Sequence, residues 1–329
     1  MAATDTSLPP NSKRLSDGDR PPGLVTDRVF RWVALVAGLT VLLVLALIIV
    51  STTNQAWPWF RAEGLSSVFG SEWNPSAGHF GALGLIVATL VVASIALVIA
   101  VPISVGIALF VTEVAPRRLR KPVVYTIDLL AAIPSVVFGL WALRELTQPL
   151  ADLYQSVSSA TSGIPLIGDV TAHPSGSGQA IMTAGIVVGI MIMPIVTSIT
   201  REVFATCPAS QKEAALALGA TRWEMIRGAV FPHGRSGLVA AIVIGFGRAV
   251  GETIAVALVI GASPRLTAEI FGPGDTMASV VVNQFGEASG THRAGLIGLG
   301  VILLGLTIVI GMVARVVVAR ADRRLGLAP

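Results

Sequence analysis

The chain has 329 residues, of which 53% are hydrophobic and 13% are charged, and its mean hydropathy is +0.77. A soluble globular domain carries about a quarter charged residues, so this composition excludes an ordinary soluble domain and predicts a protein embedded in a membrane. The single cysteine, Cys207, excludes an intrachain disulfide.

The N-terminal segment, residues 1–27, is polar and contains four prolines. A segment of this composition buries too little apolar surface to fold, so we expect a disordered cytoplasmic tail. The apolar stretch that begins at Val29 has the length of a membrane span, and no small-residue cleavage site follows it. We therefore expect an uncleaved anchor and one transmembrane domain over residues 28–329.

Six stretches are apolar enough to cross the hydrocarbon core of a bilayer, which takes about 20 residues of helix. They are Val29–Val50, Gly81–Val111, Val123–Leu143, Gln179–Ser198, Leu238–Ala262 and Ala294–Val318. Pro102, Pro134 and Pro194 lie inside the second, third and fourth stretches. Each proline frees a backbone carbonyl that a neighbouring helix or water must satisfy, which suits helices that pack in a bundle.

Basic residues are distributed unevenly between the two sides of this predicted bundle. With the N-terminus inside, most of the 23 Lys and Arg residues lie in inside segments, and the outside loops hold only Arg61, Arg265 and Arg293. Because cytoplasmic loops carry such an excess, both termini are predicted to face the cytoplasm. The predicted fold class is an all-α integral membrane protein with six transmembrane helices. This topology explains the net charge of +4, so we expect no nucleic-acid partner.

The first outside loop is rich in aromatic residues, namely Trp57, Trp59, Phe60, Phe69 and Trp73. One interpretation is an aromatic belt at the membrane interface. The other is a docking surface for an external partner. The sequence leaves both open.

The inside loop at about residues 202–235 has the pattern of two short helices. Ser210 with Glu213, and Thr221 with Glu224, are spaced as capping boxes, which begin helices. These two boxes predict where each helix starts.

The ends of the same helices are also marked. Gly219 is placed to end the first helix, and Pro232 is placed to end the second. Small side chains such as Ala214 and Ala215 let another backbone come close, so the first helix suits a partner's groove. An ordinary amphipathic helix at the membrane surface is the alternative.

Two ionisable residues, Arg248 and Glu252, lie within the fifth predicted span. They are four positions apart, so they are predicted to share one helix face. One interpretation is an ion pair that ties helices together. The other is an anion site, because an Arg guanidinium matches a tetrahedral oxyanion and charges at membrane depth usually line a polar pathway. The Glu252 carboxylate would then accept a hydrogen bond from a protonated phosphate oxygen, a donor that sulfate lacks.

The inside loop resembles the EAA loop of ATP-binding-cassette (ABC) importer permeases. The residues at the family's spacing are Glu213, Ala214, Ala215, Gly219 and Pro232. Ala229 and Phe231 stand where the family favours Ile and Leu, and both exchanges keep an apolar side chain. In that family the loop docks on the ATPase subunit. The resemblance therefore implies an ATPase-coupling segment and a type I ABC importer permease architecture.

Three other segments resemble the permeases of the phosphate-specific import system, in particular the first, PstC-type permease. They are Asp128–Trp141, Gly247–Thr253 and Asn283–Ala288. The resemblance implies a subunit that translocates inorganic phosphate by alternating access. It also implies that the substrate pathway includes Arg248, Glu252 and Thr253.

Permeases of this family act in a complex. The resemblance implies a second permease subunit, two ATPase subunits and an external phosphate-binding protein as partners, assembled in the cytoplasmic membrane. A P-loop needs Gly-Lys followed by Ser or Thr, and no lysine of this chain follows a glycine. We therefore expect no cofactor in this chain, with ATP and Mg²⁺ bound by the ATPase.

Other classes of function find less support in the residues. The four histidines are scattered without metal-ligand spacing, and no nucleophile and base are paired, so we expect neither a metal site nor an enzyme. The alternatives that remain are an ABC permease for another oxyanion, such as sulfate or molybdate, and a secondary transporter or channel that needs no ATPase.

Overall fold

The structure is a computed structural model that describes residues 24–324. In this part of the chain the α-helices are α1 Leu24–Glu63, α2 Leu83–Leu109, α3 Arg117–Ala131, α4 Ser135–Trp141, α5 Thr147–Thr161, α6 Ile167–Val170, α7 Ile181–Ala205, α8 Ala209–Ala217, α9 Arg222–Met225, α10 Phe231–Val250, α11 Ile254–Val259, α12 Met277–Gln284 and α13 Gly290–Arg324. Shorter segments are a 3₁₀ turn at Leu65–Phe69 and π-helical turns at Phe110–Val114, Ala142–Leu146 and Ile226–Val230. Strands β1 (Trp73–Asn74) and β2 (His79–Phe80) form a small antiparallel hairpin.

The chain divides at Ser51 into two compact units. The first unit contains the N-terminal part of α1. The predicted disordered tail, residues 1–27, lies almost entirely outside the described residues, which begin with the first residue of α1, Leu24. The packing described below is that of the second unit, from Thr52 onward.

Five helical rods are long and apolar enough to cross a membrane: Asp27–Glu63, Leu83–Val114, Ile181–Ala205, Arg222–Val250 and Gly290–Val316. A sixth candidate, Arg117–Ala131 together with Ser135–Thr161, is bent by 90° at its break. The described helices are therefore consistent with six spans when this bent pair counts as one. The all-α membrane fold predicted from hydropathy is confirmed.

The third predicted span, Val123–Leu143, is not one straight helix. It breaks between Ala131 and Ser135, where Pro134 takes extended backbone angles (φ −59°, ψ 141°). Pro134 has no amide proton for the preceding turn, and its ring disfavours helical geometry at Ile133. The prediction of a continuous helix was wrong because both constraints act at this point.

The core of the second unit is formed by α2, α7, α10 and α11. Its buried side chains are mostly Ala, Val and Ile, such as Ala96, Val188 and Val256. Small side chains allow helices to pack closely in a bilayer, where water exclusion does not drive their association. Ser104 on α2 adds a polar contact, because its hydroxyl donates to the Met193 carbonyl of α7 at 3.0 Å.

The aromatic residues of the first outside segment are largely part of a second core. Trp59 is fully buried, and Trp73 is 4% exposed. A Cβ at position 298 would lie 2.2 Å from the Trp59 ring, so Gly298 is what allows α13 to lie against this indole. Neither the interface belt nor the docking surface describes these two tryptophans, although Trp57 and Phe69 remain exposed.

Candidate functional site

The first helix of the inside loop, α8, begins two residues earlier than its predicted capping box requires. Its N-cap is Pro208, and no side chain caps it, so the predicted box between Ser210 and Glu213 is wrong. Ser210 already lies in the first helical turn, where its hydroxyl no longer occupies the N-cap position. The proline supplies the extended entry to α8 instead.

Gly219 ends α8 as predicted. Its φ of +85° lies in the left-handed region, which glycine adopts without steric cost. The amide of Gly219 donates to the Leu216 carbonyl at 3.0 Å, and that of Ala220 donates to the Ala215 carbonyl at 3.2 Å. These two bonds are those of a Schellman motif, so the end of α8 is well defined.

The capping box of the second helix is confirmed. The Thr221 hydroxyl accepts from the Glu224 amide at 3.3 Å, and the Glu224 carboxylate accepts from the Thr221 amide at 2.7 Å. Pro232 does not end this helix, contrary to prediction, because the rod Arg222–Val250 continues through it. The π-helical turn Ile226–Val230 precedes the proline and widens the helix where its ring would meet a carbonyl.

The inside loop presents an accessible surface. Glu213 and Ala214 are exposed, whereas Ala215 packs against the buried cluster beneath α8. A groove of about 520 Å³ runs between Ala214 on α8 and Pro232 on the following helix. Leu218 and Trp223 of the same loop are 90% and 61% exposed. More than one large exposed apolar side chain on a loop is typical of a partner surface.

An ion pair fastens α8 to the end of α2. Lys212 Nζ lies 2.6 Å from Glu113 Oε1, and the Glu113 side chain is only 7% exposed. Cys207 is buried next to this pair, and burial is the main cause that raises the pKa of its thiol. The ion pair therefore links α8 to the segment that follows α2.

The fifth predicted span is broken at the point that was expected to carry the anion site. α10 ends at Val250, Gly251 is its C-cap, and α11 begins at Ile254. Arg248 thus lies in the last turn of α10, and Glu252 lies in the break. The prediction that the two residues share one helix face is wrong, because the helix does not continue between them.

The three predicted pathway residues nevertheless all lie at or within a few positions of this break. Arg248 is exposed, Glu252 is 9% exposed, and Thr253 is half-buried, with its hydroxyl donating to the Gly251 carbonyl at 3.0 Å. Among the described residues, Glu252 has neither an ion-pair partner nor a side-chain hydrogen bond. The interpretation of Arg248 and Glu252 as a structural ion pair is therefore not supported. Chemically, the break offers a guanidinium, a carboxylate and a hydroxyl to a small polar solute.

A second broken helix packs beside this one. A Cβ at position 139 would lie 2.8 Å from Ala255 Cα, so Gly139 allows α4 to lie directly against α11. α4 starts immediately after the break at Pro134. Two helices that are interrupted within the membrane therefore contact each other, an arrangement tolerated where backbone faces a cavity or protein rather than lipid.

Sequence reasoning missed the residues that fix these elements from a distance. Lys212 and Glu113 are 99 positions apart, and Gln179 Nε2 donates to the Leu258 carbonyl across 79 positions. No local pattern marks either contact. Only Glu113 could have been suspected of a structural role from the sequence, because it is an acidic residue at the end of an apolar span.

Comparisons with known proteins agree with this architecture. Residues 100–326 match the family described as binding-protein-dependent transport system inner membrane component. A phosphate transport system permease protein PstC of Xylella fastidiosa is 42% identical over 287 residues, covering 86% of this chain and 88% of that protein. A PstC 2 of Mycobacterium tuberculosis is 40% identical over 304 residues, covering 91% of this chain and 94% of that protein.

Solved structures give the same fold at lower identity. A bacterial ABC transporter for import of the polysaccharide alginate has a TM-score of 0.61 at 18% identity, covering 90% of this chain and 98% of that chain. The MetNI methionine ABC transporter has a TM-score of 0.55 at 16% identity, covering 76% of this chain and 99% of that chain. These similarities concern the fold alone. On the family match and the curated relatives, the chain belongs to the family of binding-protein-dependent transport system inner membrane components.

Proposed function

We propose that this chain is the first permease subunit of an ATP-driven importer that carries inorganic phosphate across the cytoplasmic membrane by alternating access. The observation that carries the proposal is the identity of 42% to a protein named phosphate transport system permease, over nearly the whole of both chains. Catalysis of ATP hydrolysis is assigned to separate subunits, because the chain contains no P-loop lysine.

The break at Gly251 supports a pathway for an oxyanion. The exposed Arg248 guanidinium supplies a permanent positive charge with paired N–H donors for phosphate oxygens. Glu252 supplies an acceptor without a partner in the described chain, and a protonated phosphate oxygen donates to it. Sulfate has no proton to donate under the same conditions, so its oxygen would face a carboxylate unpaired, which disfavours its binding.

The rod Arg222–Val250 supports coupling between the two ends of the protein. It begins at the Thr221 capping box beside α8 and ends at Val250, two residues beyond Arg248. A helix in this position carries a displacement of the inside loop to the membrane break. In the proposed cycle, α8 docks on an ATPase subunit, and closure of the ATPase pair moves Arg248 between outward-facing and inward-facing pathways.

The proposed assembly contains this chain, a second permease, two ATPase subunits that bind ATP and Mg²⁺, and an external phosphate-binding protein. The family is named for its dependence on a binding protein, and the exposed groove beside Ala214 suits an ATPase partner. The second permease and the pair of ATPase subunits are what the resemblance of the EAA loop and the pathway motif implies.

Uptake of labelled phosphate tests the proposal. Cells that lack the gene receive the wild type, Arg248→Gln, Glu252→Gln or the control Arg315→Gln, which changes an exposed arginine on α13. We expect the wild type and the control to restore uptake that excess sulfate does not inhibit, and both pathway variants to be inserted but inactive. Uptake abolished by sulfate would indicate another oxyanion, and uptake without a co-purifying ATPase would indicate a secondary transporter.

A further inference from the structure

The short helix α11 is held by the side chain of Gln179, which lies in the segment before α7. α11 starts two residues after Glu252 and has only six residues. Gln179 lies before the first turn of α7, and its Nε2 donates to the Leu258 carbonyl of α11 at 2.9 Å. The last carbonyls of a helix have no partner within it, so this bond satisfies one of them and fixes the helix end.

Two backbone bonds strengthen the same attachment. The Val259 carbonyl accepts from the Ala180 amide at 3.1 Å, and the Ile260 carbonyl accepts from the Gly274 amide at 3.0 Å. α11 therefore ends against two outer segments, one before α7 and one before α12. A helix this short has little stability of its own, so its position depends on these external contacts.

The outer segments are themselves rigidly supported. The amide of Met182, in the first turn of α7, donates to the Ile270 carbonyl at 2.8 Å. Phe271 stacks on Tyr154 with ring centroids 4.4 Å apart, and the Tyr154 hydroxyl lies 2.8 Å from Thr183 Oγ1. Tyr154 is 2% exposed. The attachment point of α11 is thus part of a packed outer framework.

The two sides of the membrane break are consequently controlled from opposite ends of the protein. Arg248 belongs to the rod that begins at the inside loop, whereas Glu252 adjoins a helix that is fixed from the outer side. The guanidinium and the carboxylate are therefore attached to different parts of the chain.

We propose that Gln179 is a positioning residue for the phosphate site, and that its hydrogen bond to Leu258 sets the position of Glu252 from the outer framework. The inference rests on the proposed role of Glu252 in phosphate binding. A precise position of the carboxylate matters for substrate affinity, because an acceptor displaced from its donor loses most of the bond.

The test is the KM for labelled phosphate of Gln179→Met, measured in vesicles that contain the whole assembled complex. Methionine keeps the length of the side chain but has no N–H to donate. We expect KM to rise about ten-fold or more, the factor that corresponds to losing one hydrogen bond between phosphate and the charged Glu252 carboxylate, with Vmax per assembled complex nearly unchanged. The matched control is Gln155→Met, at an exposed position of α5 whose side chain has no hydrogen bond among the described residues.

A KM equal to that of the wild type overturns the inference, whether or not Vmax falls, because poorer folding lowers only the number of working complexes. If Gln179→Met does not assemble, Gln179→Asn keeps the amide on a shorter side chain. An increased KM for this variant supports the inference, and a wild-type KM overturns it. The variant Glu252→Gln separates the role of Gln179 from the role of Glu252 in phosphate binding. If Glu252→Gln keeps the wild-type KM and still rejects sulfate, the proposed phosphate site is refuted, whatever the result for Gln179→Met.

Discussion

Removal of one partner of the ion pair between Lys212 and Glu113 is expected to destabilise the permease more than removal of both. Lys212→Met leaves the Glu113 carboxylate, 7% exposed, without its cation. Breaking a fully buried pair costs about 3–5 kcal/mol. Lys212 is 21% exposed, and solvent screening of its charge reduces the expected cost to about 2 kcal/mol. For a chain of this size that cost lowers the Tm by about 3 °C.

The assay is thermal unfolding of the purified complex, followed by tryptophan fluorescence. The series contains Lys212→Met, Glu113→Gln, the double variant, and Lys121→Met as a control at an exposed lysine of α3. We expect each single change at the pair to lower the Tm and the double variant to recover most of the loss, because it leaves no charge unpaired. Strictly additive effects, or a Lys212→Met variant as stable as the wild type, would show that the pair does not fasten α8.

Three further predictions concern buried positions and a helix cap. Burial raises the pKa of the Asp275 carboxyl from 3.8 to about 6, so ionising it in the folded protein costs about 3 kcal/mol. The folded protein holds this proton more tightly than the unfolded chain does, so the free energy of unfolding falls as the pH rises from 3.8 through about 6. The variant Asp275→Asn should lack this loss of stability. Curves of Tm against pH that run parallel for the variant and the wild type from about pH 4 to pH 7 would contradict the prediction. Gly298→Ala places a methyl group 2.2 Å from the Trp59 ring, which is expected to cost about 1–3 kcal/mol in thermal unfolding; an unchanged Tm would refute the contact. Thr221→Ala removes the confirmed cap and should cost about 1 kcal/mol, whereas Thr206→Ala, also exposed on the inside, serves as its comparison.

The parts of the fold that were predictable from the sequence are those that depend on local composition. A run of apolar residues such as Gly81–Val111 must form a helix in a bilayer, because no water is present to satisfy its backbone. Gly219 and the box of Thr221 with Glu224 were likewise predictable, since a helix end is decided by residues within one turn of it. Each of these features appears in the structure at the predicted position.

The breaks in the helices were not predictable by the same reasoning. Apolar residues resume within a few positions on either side of Pro134 and Gly251, so the sequence predicts one span where the structure shows two pieces. Whether a proline bends, breaks or continues a helix depends on which distant groups satisfy the freed backbone. At Pro232 a preceding π-helical turn lets the helix continue, and at Pro134 the helix ends.

In the proposed cycle, the interrupted helices connect movements of the inside loop to the anion site. If the fifth span were one rigid rod, Arg248 and Glu252 would move together and their separation would stay fixed. The rod ends at Val250 and α11 is bonded to the outer framework, so under this proposal a displacement of the inside loop changes the separation between guanidinium and carboxylate. An anion held by both groups in one proposed state would then be held by one group in the other. The break would thereby supply the change in affinity that alternating access requires, since a conformational change releases a ligand only when the two states bind it differently.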